Sequence, residues 1–376
     1  METLKDTPTT LMFHAEMIPP ITDSVGDDVL HSRPPLAPTG HVSAYSTFLD
    51  SRPPSFETYA IEEIISLAHT APSLHLHIVH LSATQAIPIL RAARASGVNI
   101  TAETCFHYLG LAADTIPDGD TRHKCCPPIR EQTNQDGLWS ELSRPDGVIR
   151  TVVSDHSPCT PKLKLLPNHL VHQHTSPGSD EGYCGCSSDD EDDDEADLSK
   201  PKLPHNDSGV DVRPPPAADE TSSLARQAAA KAALESQGDF FAAWGGISSV
   251  GLGLPILHTS ALERAAAGER VPGITDIVRL CSQATARQVG LAHRKGGLKV
   301  GLDADVCVFD DGEEWTLRTG DMRWKNRVSP WEGRRFVGRV RETWVRGQKV
   351  FEFGAGEKGF VSGKPVGEAI TERRVV

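Results

Sequence analysis

Three short stretches end in residues that together could hold a metal ion: Phe13-His14-Ala15-Glu16, Val79-His80-Leu81-Ser82 and Val153-Ser154-Asp155-His156. Each follows an apolar, β-rich run, so each sits where a strand gives way to a loop. Two imidazoles and a carboxylate converging on one spot suit metal-assisted hydrolysis. Neutral imidazole nitrogen and carboxylate oxygen are good zinc donors, and a zinc-bound water ionises near neutral pH. A single histidine at a strand end is more often an ordinary hydrogen-bonded residue, and Asp155 in Ser-Asp-His-Ser-Pro has the alternative of a turn or N-cap carboxylate. The recurrence at three strand ends favours His14, His80 and Asp155 as one set.

Other motifs give weaker signals. His75 and His77 lie inside the second run, and period-two alternation places both opposite His80, so they read as exterior or strand-start residues. His172-x-His174 falls in a polar stretch, and Cys184-x-Cys186 and Cys125-Cys126 lack zinc-finger spacing. Ser154, Ser157 and Cys159 have no Gly-x-Ser-x-Gly elbow around them. Gly245-Gly246 and Gly296-Gly297 do not make a dinucleotide fingerprint, so no nucleotide cofactor is expected.

The elements that must position this set alternate between β and α patterns. Strands are expected over 9–15, 75–82, 99–105 and 148–155. Helical spacing of apolar residues over 56–70 and 84–96 separates them. Strand followed by helix, repeated, means parallel strands buried on both faces, whose C-terminal ends present reactive residues on one side. A further amphipathic helix is expected over 275–290, and then β-like runs over 300–308, 333–340 and 343–350 suggest a small separate sheet.

Between these parts, residues 162–238 lose apolar periodicity and carry Pro214-Pro215-Pro216 and an acidic run. They read as an acidic, low-complexity, disordered insertion, with Ser187 and Ser188 beside the acidic run as candidate kinase sites. The organisation expected is therefore 1–161, barrel strands; 162–238, insertion; 239–295, the end of the barrel; and 296–376, a small β subdomain. The insertion also dominates the charge: the whole chain of 376 residues is at −13, and residues 180–197 contribute ten acids and no Lys or Arg. The remainder is nearly neutral and gives no support to nucleic-acid binding. No apolar run is long enough to span a bilayer and no secretory signal is visible, so a cytoplasmic protein with reduced thiols is expected.

Several segments resemble allantoinase, a cyclic amidohydrolase related to dihydroorotase and dihydropyrimidinase. They are Phe13 to Glu16, His77 to Ser82, Thr101-Ala-Glu-Thr-Cys-Phe-His-Tyr108, Lys124-Cys-Cys-Pro-Pro-Ile-Arg130 and Val153-Ser-Asp-His-Ser-Pro-Cys159. Ala243-Trp-Gly-Gly-Ile247 and Gly301-Leu-Asp-Ala-Asp-Val306 extend the match. The resemblance implies a TIM barrel with an attached β-sandwich and a binuclear zinc centre at the barrel mouth. By position, His14 and His80 would bind one metal. Asp155 would bind the other and act as general base in hydrolysis of the ring amide of allantoin to allantoate. Backbone groups near Cys126 and Gly246 would hold the hydantoin ring. A homo-oligomer, tetrameric in relatives, is implied for a full-length protein. The related dihydroorotase and dihydropyrimidinase activities, and a non-catalytic scaffold role, stay open as alternatives.

The chain also departs from the family pattern. A His-x-His and a carboxylated bridging Lys would precede the residue matching His14, yet only thirteen residues stand before it, and Lys5 is too close to substitute. The expectation is a fragment: the C-terminal half of a TIM barrel, strands five to eight, with part of the sandwich. Such a fragment is expected to be inactive by itself.

Overall fold

The computed structural model describes residues 1–19, 39–171, 236–356 and 359–371. The expected β/α alternation forms a four-stranded parallel sheet of β1 (Thr10–Phe13), β2 (His75–Ile78), β3 (Ile100–Cys105) and β4 (Ile149–Val153), ordered as in the sequence. The register pairs Phe13 with Ile78, Ile78 with Ala102 and Cys105 with Val153, so the C-terminal ends of all four strands lie side by side. Among the described residues β1 and β4 are its edges.

Helices cover one face. α1 (Tyr45–Asp50) and α2 (Ser55–Ser66) precede β2, and α3 (Ala86–Ala95) crosses from β2 to β3. α4 (Phe106–Gly110) leaves the end of β3 directly, and α5 (Gln132–Leu142) leads to β4. Leu76 and Ile78 of β2 share a core with Ile61 of α2, Leu90 of α3 and Trp139 of α5. Burial of such side chains is the main force holding helix to sheet, at about 25 cal/mol per Å² of apolar surface.

The opposite face of the sheet is polar, which corrects the exterior placement of His77, while His75 opens β2 as the strand-start reading had it. His77 is fully buried rather than exterior. Its Nδ1 lies 2.7 Å from Thr101 Oγ1 and its Nε2 3.1 Å from Glu103 Oε2, while His75 lies 2.8 Å from the same threonine. Alternation was read correctly, but the apolar residues between the histidines claim the helix side and turn the imidazoles inward.

The short helix α6 (Asn168–Val171) stands before residue 172, and chain description resumes at Ser236. His172, His174, Cys184, Cys186, Ser187 and Ser188 lie outside the described residues. Lys164, which the sequence reading assigns to the insertion, is 2% exposed and packed within the fold. After it come α7 (Gly253–Ala266) and a helical run over 274–288, in which α8 (Ile274–Val278) and α9 (Ala284–Gln288) flank a π-helical turn at Arg279–Gln283.

The second sheet is antiparallel, ordered β5 (Val306–Thr316), β6 (Arg335–Val345) and β7 (Gln348–Glu352). β6 runs unbroken through Arg341 and Glu342, where the sequence reading separates two β-like runs. Glu342 is paired on both sides, with Val308 of β5 and Glu352 of β7, which keeps this charged stretch extended. The turn falls at Arg346-Gly347, both at positive φ, where the Gly-Gln pair in the sequence signals one. The sheet is tied to α7 through Thr259 Oγ1, which donates to Val337 O and accepts from Val337 N.

Candidate metal centre at the strand ends

His14 follows β1 and His80 follows β2. Their rings meet edge to face, with His14 Nδ1 2.9 Å from His80 Nε2, so one nitrogen donates and the other accepts. His80 Nδ1 is buried with no hydrogen-bond partner among the described residues. Burial, and then the neighbouring His14, lowers the pKa of His80, which keeps it neutral and able to bind a cation.

The backbone at these positions is held out of the ordinary strand conformation. His80 has φ +39° and Asp155 φ +45°, and both are non-glycine residues in the left-handed region. Such conformations cost about 1–3 kcal/mol each and persist only where surrounding contacts impose them. At His80 those contacts are visible. Val79 N donates to Phe13 O, Leu81 N donates to Glu103 O, and Ser82 N donates to Glu57 Oε2. Glu57 is itself buried and paired with Arg130 at 2.7 Å.

Glu16 anchors the other side. It lies 3.5 Å from His14 Nε2 and 2.6 Å from Arg52. Burial would raise its pKa, but hydrogen bonds from His14 and Arg52 hold the carboxyl below its usual range. It is thus a charged partner that orients the His14 ring.

Asp155, at the end of β4, is exposed, and its carboxylate lies within 4.8 Å of Cys105 Sγ and of a His107 ring nitrogen. Cys105 closes β3 and His107 stands in the first turn of α4. Neither was singled out as a ligand from sequence. The only signal was their place at a third strand end, within Glu-Thr-Cys-Phe-His-Tyr. His107 is fully buried and neither ring nitrogen has a partner, and burial pushes its pKa down to about 3.

The loop carrying Gly246 is brought beside Asp155. His156 bridges to Ile247, and Ser157 N donates to Ile247 O at 3.0 Å. A Cβ on Gly245 would lie 3.7 Å from Cys126 Sγ, so Cys126 and this loop are neighbours. Gly246 N donates to Lys124 O at 2.8 Å, and Gly246 O accepts from Lys164 Nζ at 2.6 Å. Both backbone groups of Gly246 are therefore engaged within the protein, and only a second lone pair on its carbonyl is free for a ligand. Lys124 also reaches into the loop, donating to Phe241 O and Ala243 O. Sequence reasoning missed both lysines, because a buried lysine is rare and nothing in its neighbours announces one.

His156 does not serve as a base for its neighbouring serines: its Nδ1 accepts from Ser249 N and Val250 N. The six cysteines among the described residues are all free thiols. No helix among the described residues is long and apolar enough to cross a membrane.

Comparison with known proteins places this geometry. Residues 257–351 match a family model described as "Amidohydrolase family". Over 376 residues the chain is 35% identical to an allantoinase of Saccharomyces cerevisiae, covering 100% of this chain and 61% of that protein. It is 33% identical over 330 residues to an allantoinase of Streptomyces avermitilis, covering 87% of this chain and 56% of that one. The chain belongs to the cyclic amidohydrolase superfamily. Among solved structures it resembles a D-hydantoinase (dihydropyrimidinase) from Thermus sp., with TM-score 0.59 and 22% identity over 86% of this chain and 54% of that one. It also resembles an L-hydantoinase (dihydropyrimidinase) from Arthrobacter aurescens, with TM-score 0.58 and 19% identity over 83% and 52%. These likenesses give the TIM-barrel amidohydrolase fold, to which the parallel sheet and the separate antiparallel sheet correspond.

Within this superfamily of metal-dependent hydrolases, the chain spans about three-fifths of the length of the yeast relative and about half of the hydantoinases. The donor set fits a metal. In a tetrahedral shell with Zn–N near 2.0–2.1 Å, two nitrogens stand roughly 3.3 Å apart, close to the 2.9 Å between the His14 and His80 rings. The unpartnered His80 Nδ1 shows that this imidazole is not committed elsewhere.

Proposed function

We propose that this chain supplies the C-terminal part of an allantoinase active site, which opens the hydantoin ring amide of the small molecule allantoin to give allantoate. The observation that carries the reading is the meeting of His14 and His80 at the ends of β1 and β2, with Asp155 at the end of β4 in the same parallel sheet, in a sequence with 35% identity to an allantoinase along its whole length.

His14 and His80 would hold one zinc ion and Asp155 would contact a second. The metal would polarise the ring carbonyl and make the attacking water more acidic. Asp155, exposed at the end of β4, would accept the proton from that water as its oxygen bonds to the ring carbonyl carbon and return it to the ring nitrogen as the C–N bond breaks, which regenerates the carboxylate. Glu16 and Arg52 fix the His14 ring, and the Glu57–Arg130 pair fixes the turn that carries His80. Backbone groups near Cys126 and Gly246 line the ring-binding side, with Gly246 itself contributing through its carbonyl alone.

The ligands on these 376 residues fall short of the set implied by the family, which adds a His-x-His and a bridging Lys. The chain alone is therefore expected to turn over no allantoin at a measurable rate, and zinc-dependent turnover by it would refute that point. The activity itself is tested on the protein isolated from its source. Turnover of allantoin in preference to dihydroorotate and dihydrouracil, lost on Asp155→Asn, is the expected result. Preference for either other ring, or activity indifferent to Asp155, would overturn the proposal.

A further inference from the structure

We propose that Cys105, His107 and Asp155 form a binding site for a thiophilic divalent cation of the zinc class, distinct in its donors from the His14–His80 pair. One ligand atom from each lies within 4.8 Å of the other two. Thiolate sulfur, imidazole nitrogen and carboxylate oxygen are each zinc donors.

The independent observation is His107. It is 1% exposed, and neither of its ring nitrogens has a hydrogen-bond partner. A buried polar group left unsatisfied costs about 1–3 kcal/mol, and an imidazole has two such atoms. A cation between His107 and Cys105 would satisfy one of them. The neutral state enforced by burial is the state a metal requires.

The framework supports binding with little rearrangement. Cys105 is fixed as the last residue of β3, and His107 follows after one residue in the first turn of α4. Both are buried. Asp155 is the exposed member, at the end of β4. In the metal-free chain, burial holds the Cys105 thiol protonated. Coordination would release that proton to solvent, so the balance is one cation bound and one proton lost from sulfur.

The site shares only Asp155 with the proposed hydrolytic centre, and it rests on that reading to no other extent. The test is titration of the metal-free full chain with Co²⁺. A thiolate-to-cobalt charge-transfer band in the near ultraviolet is expected, absent in Cys105→Ser and shifted to at least tenfold higher Co²⁺ concentration in His107→Gln. It should survive in His14→Ala. No band, or a band that persists in Cys105→Ser, would overturn the proposal, as would equal loss in His14→Ala. Should Cys105→Ser fail to fold, zinc-edge X-ray absorption on the unaltered chain and on His107→Gln decides. A sulfur neighbour at about 2.3 Å that weakens in His107→Gln supports the site, and a shell of nitrogen and oxygen alone overturns it. Allantoin turnover by the source protein is a separate readout, so failure of the hydrolase reading leaves the cobalt result standing and the reverse also holds.

Discussion

His14 Nδ1 and His80 Nε2 lie 2.9 Å apart, though the two residues are separated by 66 positions. Parallel pairing of β1 with β2 makes this meeting possible, because Phe13 and Ile78 are register partners and each histidine follows within two residues. Without a cation the rings satisfy one another. On the proposed reading, both nitrogens would turn to a bound ion. Replacement of His80 by Ala should therefore lower zinc affinity of the chain by about tenfold or more. Competition with a chromophoric chelator measures this, and unchanged affinity would remove His80 from the ligand set.

Glu57 should prove as consequential for the centre as a direct ligand. Its carboxylate accepts from Ser82 N and Ala83 N and pairs with Arg130, all in the interior. Removing one partner of a buried ion pair costs about 3–5 kcal/mol. Glu57→Ala should show that loss in urea unfolding. If the turn carrying His80 depends on Glu57, zinc affinity should fall as well, whereas a loss of stability with intact zinc binding would show that the turn holds its shape unaided.

At Gly246 a methyl group has no room. A Cβ there would lie 2.6 Å from Ser157, at φ +147°. Gly246→Ala should shift the loop beside Asp155 and destabilise the fold by about 1–3 kcal/mol. In the source protein it should raise KM for allantoin more than it lowers kcat. A variant with wild-type KM would separate this loop from the ring-binding surface.

Lys164 gives a prediction with a definite sign in pH. Burial lowers its pKa from 10.5 to about 8. Between those values the unfolded chain binds the proton more strongly than the folded one, so the contribution of this group to stability rises with pH. Below about 8 both states are protonated and the contribution is flat. The stability of the wild type relative to Lys164→Met should thus climb by up to about 1.4 kcal/mol per pH unit from about 8 to 10.5. Lys124, also lowered to about 8, titrates in the same window in both proteins. A difference that stays level or falls across this range would contradict the burial of a charged amine at this position.

The residues of the candidate site that the sequence offered share a feature. His14, His80 and Asp155 each follow an apolar run, so the periodicity that marks the strand also marks its end. Cys105 and His107 occupy an equivalent place, but β3 passes straight into α4 with no loop between. A residue in the first turn of a helix then looks like any other helical residue. Lys124 and Lys164 were illegible for a different reason: their partners are backbone carbonyls, of Thr121 and of residues 241–246, which carry no side-chain signal. The inward facing of His77 was concealed because alternation separates two faces without saying which is covered by helices. The continuity of β6 was missed because pairing on both sides overrode a charged stretch that local pattern alone reads as a break.

Leu165 and Gly238, far apart in sequence, meet where Gly238 N donates to Leu165 O at 2.5 Å, with Trp244 N bonded to Leu163 O close by. The two backbone segments form one doorway. The cost of closing a loop through such a doorway grows only with the logarithm of its length, by about 0.6 kcal/mol for each doubling. Evolution can therefore lengthen, shorten or rewrite the intervening residues almost freely. Selection on catalysis would bear on the two doorposts, and the passage between them would be open to drift or to acquiring new roles.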